Sequence, residues 1–151
     1  MSAPEGSTVT FQRAPAEVRR TAIRRFAHQL QTEVARGRPF DCLIAGDAKL
    51  QRLNREFRGK DYATDVLSFP AEPLRGRGSL GDIAISLARA RSQAREFGHT
   101  IEQEIQILML HGLLHLLGMD HETDAGQMAR AEKRWRTRLG LPDGLIERVR
   151  S

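Results

Sequence analysis

The chain has 151 residues, 40% of them hydrophobic and 28% charged, with 24 basic against 19 acidic side chains and a net charge of +5. This balance describes one soluble folded domain spanning residues 1–151, with 1–7 read as a loose extension, and excludes a disordered tail protein. A single cysteine, Cys42, excludes a disulfide framework and a Cys-rich zinc module and fits a reducing cytosol; MSAPEGSTVTF lacks the basic-then-apolar order of a secretory signal.

Thr8–Gln12 reads as a short strand. Pro15 then opens a helical pattern to about Arg36, with Val18, Ala22, Phe26, Leu30 and Val34 forming one apolar stripe. Arg19, Arg20, Arg24 and Arg25 flank that stripe as a solvated face. Phe40–Ala45 is a buried strand. Asp47 caps a helix whose Leu50, Leu53, Asn54 and Phe57 share a side, and Gly59 ends it. Val66–Phe69 is a strand stopped by Pro70, Glu72–Gly78 is a loop, and Leu80–Ser86 is a further strand. A helix follows to about Phe97, closed by Gly98.

Thr100 with Gln103 forms a capping-box pattern, and Glu102 and Glu104 suit the positive end of the next helix. From Ile107 to Met119 that helix is apolar on every side except for two histidines, too short to span a bilayer and suited to a core. A last helix, from about Ala125 to Leu139, buries Met128, Ala131, Trp135 and Leu139 and turns Arg130, Lys133, Arg134, Arg136 and Arg138 outward. The order is α/β (α+β): a small mixed sheet with helices around it.

The basic side chains are nearly all arginine, since only Lys49, Lys60 and Lys133 are lysines. Guanidinium matches phosphate in a bidentate fork, which points toward nucleic acid, although +5 is also common for a soluble domain.

Three of the five histidines fall within eleven residues. His111 and His115 are one turn apart on one helix face. Gly118 stands where the helix should end, and it lets the chain turn back so that His121 meets the other two. The spacing HxxxHxxGxxH gives three imidazole nitrogens and leaves a fourth tetrahedral position open, as catalytic zinc requires. Burying imidazoles in an apolar helix also calls for a bonding partner, which a metal would be. Metzincin peptidases share this spacing but carry a glutamate beside the first histidine as general base. Here that residue is Gly112, so peptide hydrolysis is a weak alternative. His28 and His99 are read as surface or helix-end residues without a role, and Cys42 as a small buried strand residue.

The string from His111 to His121 (HGLLHLLGMDH) resembles the HGxLHLxGxDH signature of the YbeY family. Leu53–Asp61 (LNREFRGKD), Thr64–Pro70 (TDVLSFP) and Leu80–Ser86 (LGDIAIS) agree with further blocks of that family in the same order. Phe57 stands where the family usually has tyrosine.

The resemblance implies a compact domain with a four-stranded sheet, and a zinc-dependent, single-strand-acting endoribonuclease. It implies a cytoplasmic role in maturing the 3′ end of 16S rRNA, in ribosome biogenesis and in ribosome quality control. The partners implied are rRNA and the small ribosomal subunit, with a possible ribosomal-protein contact and no membrane. His111, His115 and His121 are then the ligands of one zinc ion per chain, and Arg58 is the phosphate anchor or transition-state clamp. Asp120, Asp65 and Asp82 are candidates for a general base, none of them assigned. The attacking group, activated water or the RNA 2′-hydroxyl, stays open. A ribosome-assembly binding protein with a mainly structural metal, or a metallohydrolase of another substrate, are the alternatives.

Overall fold

Alternation along two adjacent strands decides which helix covers which face of the sheet. In the computed structural model, which describes residues 6–12, 18–71 and 79–150, four strands form one sheet. They are β1 (Thr8–Phe11), β2 (Asp41–Ala45), β3 (Val66–Pro70) and β4 (Gly81–Ser86), in the order β1-β2-β4-β3. The first three in that order run parallel, and β3 runs antiparallel to β4. Cys42, Ile44, Ile83 and Ile85 point into the main core. Their neighbours Leu43, Ala45 and Ala84 point the other way, into a smaller cluster with Leu50, Leu53, Leu67 and Phe69.

The smaller cluster is covered by α2 (Asp47–Arg58). The opposite face carries α1 (Arg20–Glu33), α3 (Leu87–Phe97), α4 (Ile101–Leu116), α5 (Gln127–Leu139) and α6 (Leu145–Arg150). α4 is central, touching β3, β4, α1, α3, α5 and α6. That position explains why its sequence has no polar face: Ile105, Leu108, Met109, Leu113 and Leu114 are all fully buried. No helix among the described residues is long and apolar enough to cross a membrane.

Several sequence expectations shift. Residues 13–17, including Pro15, and the 72–78 loop lie outside the described residues. α1 begins at Arg20, where Glu102 of α4 accepts from the Arg19 amide at 2.9 Å in place of a side-chain cap from α1 itself. Its buried stripe includes Ile23 and Ala27 beside Phe26 and Leu30, while Ala22 is only partly covered, because a four-residue step drifts around a 3.6-residue helix. Ser7, placed in a loose extension by the sequence, is fastened: its amide and hydroxyl bond Gln31 while its Oγ accepts from Phe40.

The helix after β2 has Gly46, not Asp47, as its cap; Asp47 instead accepts from Ser86 Oγ at 2.7 Å and pairs with Arg89. Phe57, on the side of α2 that carries buried Leu50 and Asn54, is itself 67% exposed and makes an edge contact to Phe69. β3 continues through Pro70, which is tolerated because β3 is an edge strand and its missing N–H deprives no ladder. A short final helix, α6, follows the last predicted element.

Candidate metal centre

α4 carries two of the three histidines because its N-terminus is firmly set. Thr100 Oγ1 accepts from the Gln103 amide, and the Gln103 side chain accepts from the Thr100 amide. From there one continuous helix delivers His111 and His115 to its C-terminal end with a one-turn offset. Gly118, at φ +94°, takes the left-handed conformation that a residue with a Cβ adopts only at a cost, and the chain reverses. Asp120 tightens the return by accepting from the Glu122 amide at 3.0 Å. His121 comes back to the helix end.

The three imidazoles have ring centroids 4.8, 5.4 and 5.6 Å apart. One ligand nitrogen from each lies within 4.8 Å of the other two. Two observations bear on a metal here. His121 Nδ1 is buried with no hydrogen-bond partner, a costly state for a polar atom. The His115 proton affinity is lowered, first by burial and then by the neighbouring His111 and His121, against opposing effects of the Met119 backbone and Asp120. A neutral ring is the form that ligates. The donor set is three imidazoles, which suits zinc and several other first-row metals.

A residue that the sequence reading missed sits behind His111. Glu132, on α5 and 1% exposed, places Oε2 2.8 Å from His111 Nδ1. A signal was present: Glu132 lies beside Ala131, four residues after Met128, so it stands on the buried stripe of a helix whose other charges face outward.

The histidines open onto a cleft of about 590 Å³ that runs along β3. α4 and the turn after it supply one wall, and Asn54, Arg58, Lys60 and Tyr62 supply another. Arg58 thus comes from the helix on one sheet face and the histidines from the other, meeting around edge strand β3. The loop bearing Lys60 and Tyr62 is fastened from α2: buried Asn54 donates to the Tyr62 carbonyl at 2.9 Å, and Gln51 and Arg55 both reach Asp61. Asp65 and Asp120 line the same cleft. Asp82 does not; it stands beside Asp41 on the neighbouring strand, and burial together with that like charge raises its carboxyl pKa.

Two further readings change. His99 is not a surface residue: its ring is nearly buried and bonds Glu104 at 2.6 Å. Glu104 stands in the first turn of α4 as expected but is fully buried there, and it is also gripped by Arg148 and Gln93. Cys42 is buried as expected, and burial pushes its thiol up, away from reactivity.

The profile of the Endoribonuclease YbeY family matches residues 8–140. The chain is 73% identical over 151 residues to the Endoribonuclease YbeY of Solibacter usitatus (strain Ellin6076), with 100% of both chains covered. It is 50% identical over 108 residues to the Endoribonuclease YbeY of Nautilia profundicola, covering 72% of this chain and 77% of that one. Among solved structures it is similar to the solution structure of TM1509 from Thermotoga maritima. The TM-score is 0.57 at 25% identity, covering 87% of this chain and 92% of the other.

Proposed function

The chain belongs to the endoribonuclease YbeY family, and from that premise we propose that it is a zinc-dependent endoribonuclease that cuts single-stranded RNA in the cytoplasm. Its substrate is the 3′ region of 16S rRNA in the small ribosomal subunit, during ribosome maturation and quality control. The observation that carries this reading is the convergence of three imidazoles and one guanidinium on a single open cleft.

His111, His115 and His121, which line the cleft, would hold the ion. Zinc there supplies Lewis acidity for a phosphoryl oxygen and an acidified water near neutral pH. The protein supplies the remainder. Arg58 presents a fixed fork of donors to a phosphate, and its charge opposes the negative charge that grows on the non-bridging oxygens. Lys60 adds a second cation on the same wall, and Tyr62, 54% exposed, offers a ring face on which an unpaired base can stack. Asp120 serves the turn that returns His121 by accepting from the Glu122 amide, and so acts as a positioning group. Gly112 provides no carboxylate beside His111, which argues against peptide hydrolysis.

The test is cleavage of a single-stranded RNA spanning the 16S 3′ end by wild type, His111→Ala and Arg58→Ala. Wild type should cleave. His111→Ala should fall to background, and Arg58→Ala should lose about 10²–10³ in rate, the range for removing one transition-state donor. Equal cleavage by all three would assign the activity to a contaminant, and tight RNA binding without any cleavage would favour an assembly factor.

A further inference from the structure

Glu132 does more than back one histidine. Its two carboxylate oxygens are divided between separate parts of the chain. Oε2 lies 2.8 Å from His111 Nδ1, and Oε1 accepts from the backbone amide of Ile146, in α6, at 2.7 Å. Gly144 passes so close to Oε1 that a Cβ there would collide with it, so the carboxylate is wedged between α4 and the approach to α6. The far side of α6 is fastened to the same helix α4, because Arg148 makes two bonds to Glu104. Leu145, next to Ile146, lines the cleft.

We infer that Glu132 is a positioning residue that couples metal binding at His111 to docking of the C-terminal segment 144–150. The inference rests on the metal reading above. A carboxylate only accepts, so the nitrogen facing it keeps its hydrogen and His111 Nε2 is left with the free lone pair. The same rigid planar group must satisfy the Ile146 amide. Any displacement of α6 therefore tilts the acceptor that orients His111, and any fixing of His111 steadies α6. Such coupling is reciprocal: an ion that binds the oriented ring more tightly protects the docked segment by the same factor.

Zinc alone is the probe, added to the full-length apo-protein in competition with a chromophoric chelator. Amide hydrogen exchange across Leu141–Arg148 is followed with and without zinc. In wild type, zinc should slow exchange of the Ile146 amide at least several-fold. In Glu132→Gln the side chain has one acceptor oxygen and a donor NH₂, so it can serve only one of the two N–H groups. Zinc affinity should fall about 10- to 100-fold, the usual effect of losing such a partner, and the zinc effect on Ile146 should disappear. Glu132→Asp, which keeps the charge but is one methylene shorter, should fall between.

Glu132→Gln binding zinc within about twofold of wild type would overturn the inference. So would wild-type Ile146 exchange that ignores bound zinc, a measurement that needs no variant to fold. Wild type that binds no zinc at all would instead defeat the metal reading on which this one stands.

Discussion

Gly112 follows His111 where α4 presses against the sheet, and its lack of a side chain has two effects at once. A Cβ there would stand 2.9 Å from Ile83 Cγ2 and 3.1 Å from Ser68 Oγ, and Ser68 Oγ donates to the Gly112 carbonyl at 2.9 Å. The helix therefore lies closer to β3 and β4 than an alanine would permit, and a peptidase-type glutamate has no room. Gly112→Ala must push either α4 or the stiff β-branched Ile83 aside, at a cost of about 1–3 kcal/mol of stability by overpacking. His111 and His115 move with the helix, so zinc affinity should drop in the same variant. Urea unfolding and a chelator competition check both; an unchanged midpoint would show that the contact relaxes without strain. The histidine triangle was legible in the sequence because spacing alone fixes it: a helical step, a glycine and a short return. Glu132 was harder to read: its place on the buried stripe of α5 marks it as unusual, but ten residues separate it from His121 and no spacing ties it to the histidines.

α6 is a six-residue helix that could not persist alone. Tertiary bonds hold it. Arg148 stacks 4.3 Å from the Phe97 ring centroid and pairs with Glu104, which also receives His99 and Gln93. Burial alone would raise the Glu104 pKa, but the Arg148 bonds, with help from His99 and Gln93, hold it below the ordinary glutamate value. A carboxyl whose folded pKa is depressed adds stability above its unfolded pKa, near 4.5, and loses it as pH falls through the lower folded value. Arg148→Met leaves that buried carboxylate without its cation and should cost about 3–5 kcal/mol at pH 7. The penalty should narrow toward acid, where a protonated Glu104 no longer needs the cation. Thermal unfolding from pH 7 to pH 3.5 tests the sign; a gap that widens on acidification would contradict it. Elements with a strong period, α1 to α5 and the four strands, were readable from their residues. α6 was not, since six residues carry no period and its register comes from Glu104 and Glu132 on other helices. The same long-range contacts explain why the burial of Glu104 and His99 could not be read: in sequence they are ordinary helix-start residues.

At the scale of the whole molecule the question is what the arginine excess does. The guanidiniums of Arg20 and Arg24 lie over the Phe11 ring, Arg89 pairs with Asp47, Arg136 with Asp143 and Arg148 with Glu104. Part of the positive charge is therefore already engaged within the fold. The basic groups lining the cleft, apart from the histidines, are Arg58 and Lys60. If RNA is held through the cleft, two phosphates are neutralised there, and a single strand releases about 0.7 counterion per contact. The slope of log affinity against log salt should then be near about −1.4 for a short single-stranded 2′-O-methyl RNA, which binds without being cut. Arg58→Ala should flatten it by about 0.7, with binding weakened alike for every sequence. A diffuse field from the whole arginine complement would behave otherwise, giving a steeper slope that hardly responds to one substitution. Fluorescence anisotropy between 50 and 300 mM salt separates the two. A steep slope insensitive to Arg58 would move RNA recognition out of the cleft and onto the helix faces, leaving the three histidines as a cutting centre served by a distant binding surface.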